Sequence, residues 1–150
     1  MILATAHSNA AVDRLMDTLL NLDIGCLRLG EEVNPNFKEW TFDGWINKIR
    51  SENPDFKLNF KNLPKLINES KIFSKKISVL CGTCVHSGSK MYSKLSFPYV
   101  LIDEVSLAIE PSILIPIVKK SKHVVLVGDH KQLGLLTFLL LNLKELFISL

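Results

Sequence analysis

The chain has 150 residues, 47% of them hydrophobic and 22% charged, which fits one globular domain with enough apolar side chains for a core. Its net charge of +3 arises mainly in residues 38–76, where nine Lys or Arg stand against five Asp or Glu. Such a basic segment can bind a phosphate backbone, but it is more commonly a solvated surface, so charge alone excludes neither.

The three cysteines are an odd number, and no secretory signal precedes them, so the sequence predicts a cytoplasmic or nuclear protein without a disulfide framework. Residues 2–6 are too short an apolar run for a signal peptide and predict a strand instead. The apolar run at residues 133–150 contains Asn142, Lys144 and Glu145. Its uninterrupted portions are far below the roughly 18 residues of a membrane span, so we expect no membrane segment.

The first part of the chain predicts strand, loop and helix. After the strand at residues 2–6, Ser8 and Asn9 have the composition of a helix cap, and apolar residues then recur at helical spacing up to Leu20. Residues 26–29 form a second short apolar piece. Between residues 38 and 76 we expect a basic, helical insert, with one helix around Trp45, a break at Asn53-Pro54, and another helix within residues 63–73.

The later part of the chain predicts a parallel sheet. Residues 77–81, 99–102 and 123–127 are continuous, β-branched apolar runs, typical of strands buried on both faces. Glu110-Pro111 begins a helix between the last two strands. Strands that alternate with helices indicate an α/β fold, in which ligands bind beyond the carboxyl ends of the strands.

Two adjacent strand ends carry polar clusters. Asp103 and Glu104 follow the strand at residues 99–102, and in a nucleotide hydrolase the first such acid holds Mg²⁺ through water while the second orients or deprotonates the attacking water. Gly128, Asp129 and Gln132 follow the next strand, and the Gln132 amide suits a group that senses a γ-phosphate. The alternatives are a solvated acidic turn for the first pair and an ordinary turn for the second.

Taken together, residues 100–134 resemble motifs II and III of the superfamily 1 helicases. Residues 6–13, Ala-His-Ser-Asn-Ala-Ala-Val-Asp, resemble motif Ia of that family, and residues 81–85, Cys-Gly-Thr-Cys-Val, resemble its Thr-Cys motif. The order of the motifs also agrees. Glu110-Pro111 and residues 128–134 are most similar to the up-frameshift group of nonsense-mediated decay, with the senataxin-like helicases as near relatives.

The resemblance implies the first RecA-like motor domain of an ATP-dependent helicase, a parallel sheet of the P-loop NTPase type flanked by helices. It implies ATP and Mg²⁺ as cofactors, RNA or single-stranded DNA as partner, and RNA-decay or RNA-processing proteins as further partners. The residues it assigns are, for catalysis, Asp103, Glu104 and Gln132; for Mg²⁺ through water, Asp103; for the nucleotide, these three with Gly128 and Asp129; and for nucleic acid, Ser8, Asn9 and Thr83.

The sequence also departs from the family. It contains no G-x-x-x-x-G-K-[ST] phosphate loop, which the family has upstream of motif Ia, and residues 135–150 resemble nothing in the family. We therefore expect a partial motor domain at residues 1–134, an apolar tail at 135–150, and a second motor domain elsewhere in an active protein. By itself this chain is expected to be inactive. The alternative is a catalytically dead remnant that at most binds nucleic acid.

Overall fold

The computed structural model describes residues 1–129 except 31, 32, 60, 62, 70, 73 and 74. Gln132 and the tail at residues 135–150 therefore lie outside the described residues. Within the described part, no helix has the length and apolar character needed to cross a bilayer. The strands are β1 (Ile2–Ala6), β2 (Cys26–Arg28), β3 (Lys71–Ile72), β4 (Lys75–Lys76), β5 (Val79–Thr83), β6 (Tyr99–Asp103) and β7 (His123–Leu126). The α-helices are α1 (Asn9–Asn21), α2 (Phe42–Glu52), α3 (Leu63–Glu69) and α4 (Glu110–Ile117).

Five of these strands form one parallel sheet in the order β2-β5-β1-β6-β7. Apolar clusters cover both of its faces, and the alternation of side chains along β1 divides its residues between them. Leu3 belongs to the cluster that contains Trp45, and Ala4 and Ala6 belong to the cluster on the side of α1. The predicted α/β fold with a doubly covered parallel sheet is thus confirmed.

The insert at residues 38–76 contains two helices and a short strand pair. The helix α2 around Trp45 is confirmed, it ends at Glu52 beside the predicted break, and Trp45 is buried against the core. The second helix predicted within residues 63–73 is confirmed as α3, which ends at Glu69. The strands β3 and β4 follow it as a short antiparallel hairpin, so the backbone groups there bond across two strands rather than along a helix.

Two strand predictions differ from the structure. The strand predicted at residues 77–81 runs from Val79 to Thr83, because its pairing with β1 begins at Val79. The strand at residues 123–127 was predicted to be buried on both faces, and this is wrong: all five residues are exposed, Val125 and Leu126 by 53% each. The strand β7 is the last in the sheet order and pairs only with β6 among the described strands. This apolar segment therefore forms a strand, although no packed layer covers it among the described residues.

A buried arginine joins the sheet to α1. Arg28, at the end of β2, has no solvent exposure, and its Nε donates to Asp13 Oδ1 at 3.0 Å while its Nη2 donates to Asn9 Oδ1 at 2.9 Å. Its Nη1 donates to the carbonyl of Leu29. A buried guanidinium is tolerated only when it is paired and hydrogen bonded, and here three acceptors meet that need.

We expect the substitution Asp13→Ala to lower the free energy of unfolding by about 3 kcal/mol, because it leaves the buried Arg28 charge without its carboxylate. Urea unfolding followed by far-ultraviolet circular dichroism measures this. Asp17→Ala is the matched control: Asp17 lies one turn further along α1, is exposed, and accepts only from Asn21 among the bonds found in the described residues. Equal losses in the two variants would contradict a special role for the Asp13–Arg28 pair.

Two buried thiols and a buried phenol make the stability of the fold depend on pH in the alkaline range. A hydrogen bond with Cys26, together with burial, raises the pKa of the Cys81 thiol well above its ordinary value. Burial also raises the pKa of the Cys84 thiol and, further, that of the Tyr92 phenol. Each of these pKa values is higher in the folded than in the unfolded chain, so the unfolded chain loses these protons first. Their contribution is complete below about pH 8.5 and is lost as the pH rises toward the folded-state values.

We therefore expect the free energy of unfolding to fall steadily above about pH 9. The variant Tyr92→Phe is expected to lose less stability between about pH 9 and pH 11, because it removes the phenol that the unfolded chain ionises. At neutral pH it is expected to match or exceed the original chain, since the Tyr92 hydroxyl is buried with no hydrogen-bond partner among the described residues. Urea titrations at both pH values test this, and an unchanged alkaline slope would contradict it.

Candidate functional site

The carboxyl ends of three neighbouring strands bring the predicted site residues together. The central strand β1 pairs with β5 and β6, and Ala6 lies in register with Thr83 on one side and with Asp103 on the other. Adjacent strands lie about 4.8 Å apart, so Thr83 and Asp103 are separated by about 10 Å across the sheet. The loop from Ala6 into α1 places Ser8 at the same edge. The predicted nucleic-acid and cation residues thus share one rim of the sheet.

The two carboxylates at the end of β6 are held by the backbone between them. The Glu104 N–H donates to Asp103 Oδ1 at 2.8 Å, which fixes the Asp103 carboxylate over the turn. Glu104 itself adopts the left-handed conformation, with φ 51° and ψ 37°, which costs a residue with a Cβ atom roughly 1–2 kcal/mol. Both side chains are half-buried. This turn directs two consecutive carboxylates out of the strand end rather than letting them alternate across the sheet.

Glu104 has a cationic partner that comes from far away in the chain. Arg14 Nη2, on α1, contacts Glu104 Oε1 in an ion pair between residues 90 positions apart. The Arg14 side chain is 67% exposed and that of Glu104 is 27% exposed. The contact joins the helix that starts at the predicted nucleic-acid residues to the carboxylate predicted to act on water.

The segment after β7 packs directly against the turn that follows Glu104. The Val127 N–H donates to the Ile102 carbonyl at 2.8 Å, and the Val105 N–H donates to the Val127 carbonyl at 2.9 Å. A Cβ atom on Gly128 would lie 2.8 Å from Val105 Cγ1 and 3.1 Å from the Ser106 nitrogen, so only glycine fits without a shift. Gly128 thereby lets Asp129 follow the strand tip next to the two carboxylates.

The predicted nucleic-acid residues all have bonds within the chain. Ser8 Oγ accepts from the Ala11 N–H at 3.2 Å and caps α1, and Thr83 Oγ1 accepts from the His86 N–H at 3.2 Å. Accepting a bond uses a lone pair of each hydroxyl, so each O–H can still donate to a phosphate oxygen. Asn9 accepts from the buried Arg28. The structural role of these residues is therefore compatible with a binding role.

The carboxylates suit a hydrated divalent cation better than a fully protein-bound one. Among the described residues, no group of three or more His, Cys, Asp or Glu side chains could hold a metal ion. Mg²⁺ commonly uses one or two carboxylates and fills its remaining positions with water and substrate phosphates. Asp103 keeps Oδ2 without a hydrogen-bond partner in the part of the chain that is described, so the donor set fits Mg²⁺.

Sequence reasoning missed Arg14, Asp13 and Arg28. The signal for Arg28 was a charged residue inside a short apolar strand, which requires a buried partner. Asp13, four residues after Asn9 and therefore on the same face of a helix, was the available carboxylate. No sequence pattern marks Arg14, because its partner depends on how α1 packs over the sheet.

Comparisons with known proteins identify the family of the chain. A family profile described as AAA domain matches residues 46–135. The chain is 33% identical over 153 residues to "Regulator of nonsense transcripts 1" of Dictyostelium discoideum and 34% identical over 151 residues to "ATP-dependent helicase upf1" of Schizosaccharomyces pombe. It is 37% identical over 151 residues to "ATP-dependent helicase NAM7" of Saccharomyces cerevisiae.

These matches cover 89% of this chain but only 12%, 16% and 15% of the three relatives, so the chain spans a small part of their length. A more distant match, 28% identical over 134 residues, is "DNA replication ATP-dependent helicase/nuclease DNA2" of Bos taurus. The chain therefore belongs to the AAA domain family, in the group of superfamily 1 helicases that includes the up-frameshift proteins.

Proposed function

We propose that this chain is the part of an ATP-dependent helicase motor that carries the carboxylates for ATP hydrolysis and part of the nucleic-acid surface. The observation that carries the proposal is the register at the sheet rim, where Ala6 aligns with both Thr83 and Asp103. Ligand sites of parallel α/β sheets lie at this rim. The relatives named as ATP-dependent helicases support the same function.

In this proposal the two consecutive carboxylates have different tasks. Asp103, fixed by the Glu104 N–H, holds Mg²⁺ through water, and Glu104 orients the attacking water and accepts its proton. Mg²⁺, when bound with ATP, neutralises charge on the phosphate oxygens. We propose that Gly128 and Asp129 contact the nucleotide, as does Gln132, which lies outside the described residues. The strained backbone of Glu104 supports this assignment, since such strain concentrates at functional sites.

The proposed nucleic-acid surface is the rim next to these carboxylates. Ser8, Asn9 and Thr83 offer hydroxyl and amide groups at loop and helix starts, which contact phosphates and sugars without reading the base sequence. Contact that ignores sequence suits a motor that moves along a strand. We propose RNA as the natural strand, in a cytoplasmic or nuclear setting with RNA-decay or RNA-processing proteins, because the relatives include regulators of nonsense transcripts.

The test uses a chimera in which this chain replaces the matching segment of the fission-yeast helicase upf1. We expect the chimera to hydrolyse ATP in the presence of single-stranded RNA, and Glu104→Gln to lower kcat by at least about 100-fold by removing the general base. A coupled assay for released phosphate measures both. The chain without its added flanks is expected to be silent.

The matched control for this experiment is Glu52→Gln. Glu52 is the exposed last residue of α2, on a different element from the two carboxylates, and its loss is expected to leave kcat within about twofold. Normal turnover in the Glu104→Gln chimera would overturn the catalytic assignment. A chimera that is inactive while the parent helicase works would favour the catalytically dead remnant.

The left-handed backbone of Glu104 is also expected to lower the stability of the fold. Glu104→Gly should raise the free energy of unfolding by about 1 kcal/mol, because glycine adopts the left-handed conformation without a Cβ clash. Glu104→Gln keeps the Cβ atom and serves as the control, with little or no gain. Chemical unfolding of the 150-residue chain measures both, and a loss of stability in Glu104→Gly would contradict the proposed strain.

A further inference from the structure

The contact between Arg14 and Glu104 lies within the proposed site but belongs to none of the assigned roles. Arg14 stands on the exposed side of α1, and its side chain reaches the carboxylate that the proposed function assigns to water activation. The two acids of α1 do not pair with Arg14: Asp13 binds Arg28, and Asp17 accepts from Asn21. Among the described residues, the ion pair found for Arg14 is the one with Glu104.

A guanidinium bound to Glu104 changes what that carboxylate can do. Its positive charge beside the two acids opposes a divalent cation at the same place, since like charges a few ångströms apart repel. It also occupies an oxygen, Oε1, that would otherwise face water. The pair is exposed on the Arg14 side, so it is a weak contact that a competing anion can displace.

Arg14 is also placed to reach an anion at the start of α1. It lies six positions after the helix cap at Ser8, which is about 9 Å along a helix axis. An extended arginine side chain covers much of that distance, and a nucleic-acid strand presents a phosphate every few ångströms. A strand held at Ser8 and Asn9 would thus bring a phosphate within reach of the guanidinium.

We propose that Arg14 is a positioning residue that holds Glu104, and whose charge opposes a divalent cation at the neighbouring Asp103, until a nucleic-acid phosphate takes the guanidinium. The proposal rests on the proposed function, because it uses the carboxylates and the nucleic-acid surface assigned there. It makes cation binding and nucleic-acid binding reinforce each other through one side chain. By linkage, each ligand then raises the affinity for the other by the same factor.

The experiment follows Mn²⁺ binding to the full 150-residue chain without nucleotide. Paramagnetic broadening of the backbone amide signals of residues 103–106 is plotted against free Mn²⁺, which electron paramagnetic resonance measures, with and without single-stranded polyuridylate. In the original chain, the RNA is expected to raise the Mn²⁺ affinity about threefold to fivefold. Arg14→Gln is expected to bind Mn²⁺ more tightly by the same factor without RNA. Adding RNA is expected to raise its Mn²⁺ affinity no further.

Two further variants separate charge from structure. Arg14→Lys keeps the positive charge of an exposed contact made through one nitrogen, and is expected to stay within about twofold of the original chain in both conditions. Arg50→Gln removes a positive charge from an exposed position of α2, far from the rim in the fold, and is expected to behave as the original chain. Agreement of all three variants with these expectations supports the role of Arg14.

The opposite results are equally specific. The proposal is overturned if Arg14→Gln binds Mn²⁺ no better than the original chain, if it still responds to RNA, or if RNA leaves the original chain unaffected. Asp103→Asn tests the underlying site separately. If this variant leaves the broadening at residues 103–106 unchanged, the carboxylate site itself is wrong, and the proposed function fails with it.

Discussion

The pairing of β1 with two parallel neighbours is the constraint on which the rest of the molecule depends. Because Ala6 is in register with both Thr83 and Asp103, three strands that are far apart in sequence end at the same level. Each loop that leaves this rim then starts from a fixed point. A shift of one residue in either pairing would move every side chain of that strand to the other face.

The buried guanidinium of Arg28 then fixes the position of α1 over the sheet. Its guanidinium bonds to Asp13 and Asn9 on the helix while the backbone of Arg28 belongs to β2. The geometry of a planar, forked donor is demanding, so the helix has one favoured rotation about its own axis. That rotation determines which residues of α1 face the rim, and Arg14 is among them.

The sequence predicted those features that depend on local patterns and adjacent residues. The strand that ends in Asp103 and Glu104, and the cap at Ser8, could be recognised because alternation and capping chemistry are properties of neighbouring residues. The contact of Arg14 with Glu104 could not, since it depends on the packing of elements 90 positions apart. The exposure of β7 was mispredicted for the same reason. An apolar run indicates a strand, but the elements that pack beside that strand determine whether it is buried.

The exposed strand β7, outermost among the described strands, affects how copies of the chain associate. An outer strand with exposed apolar side chains and no charged residue from Val124 to Val127 is a template onto which another strand can add. A second copy of the chain presents the same template, and pairing of the two β7 strands would give a closed, two-fold dimer. A segment that covered β7 would therefore also limit self-association of the chain.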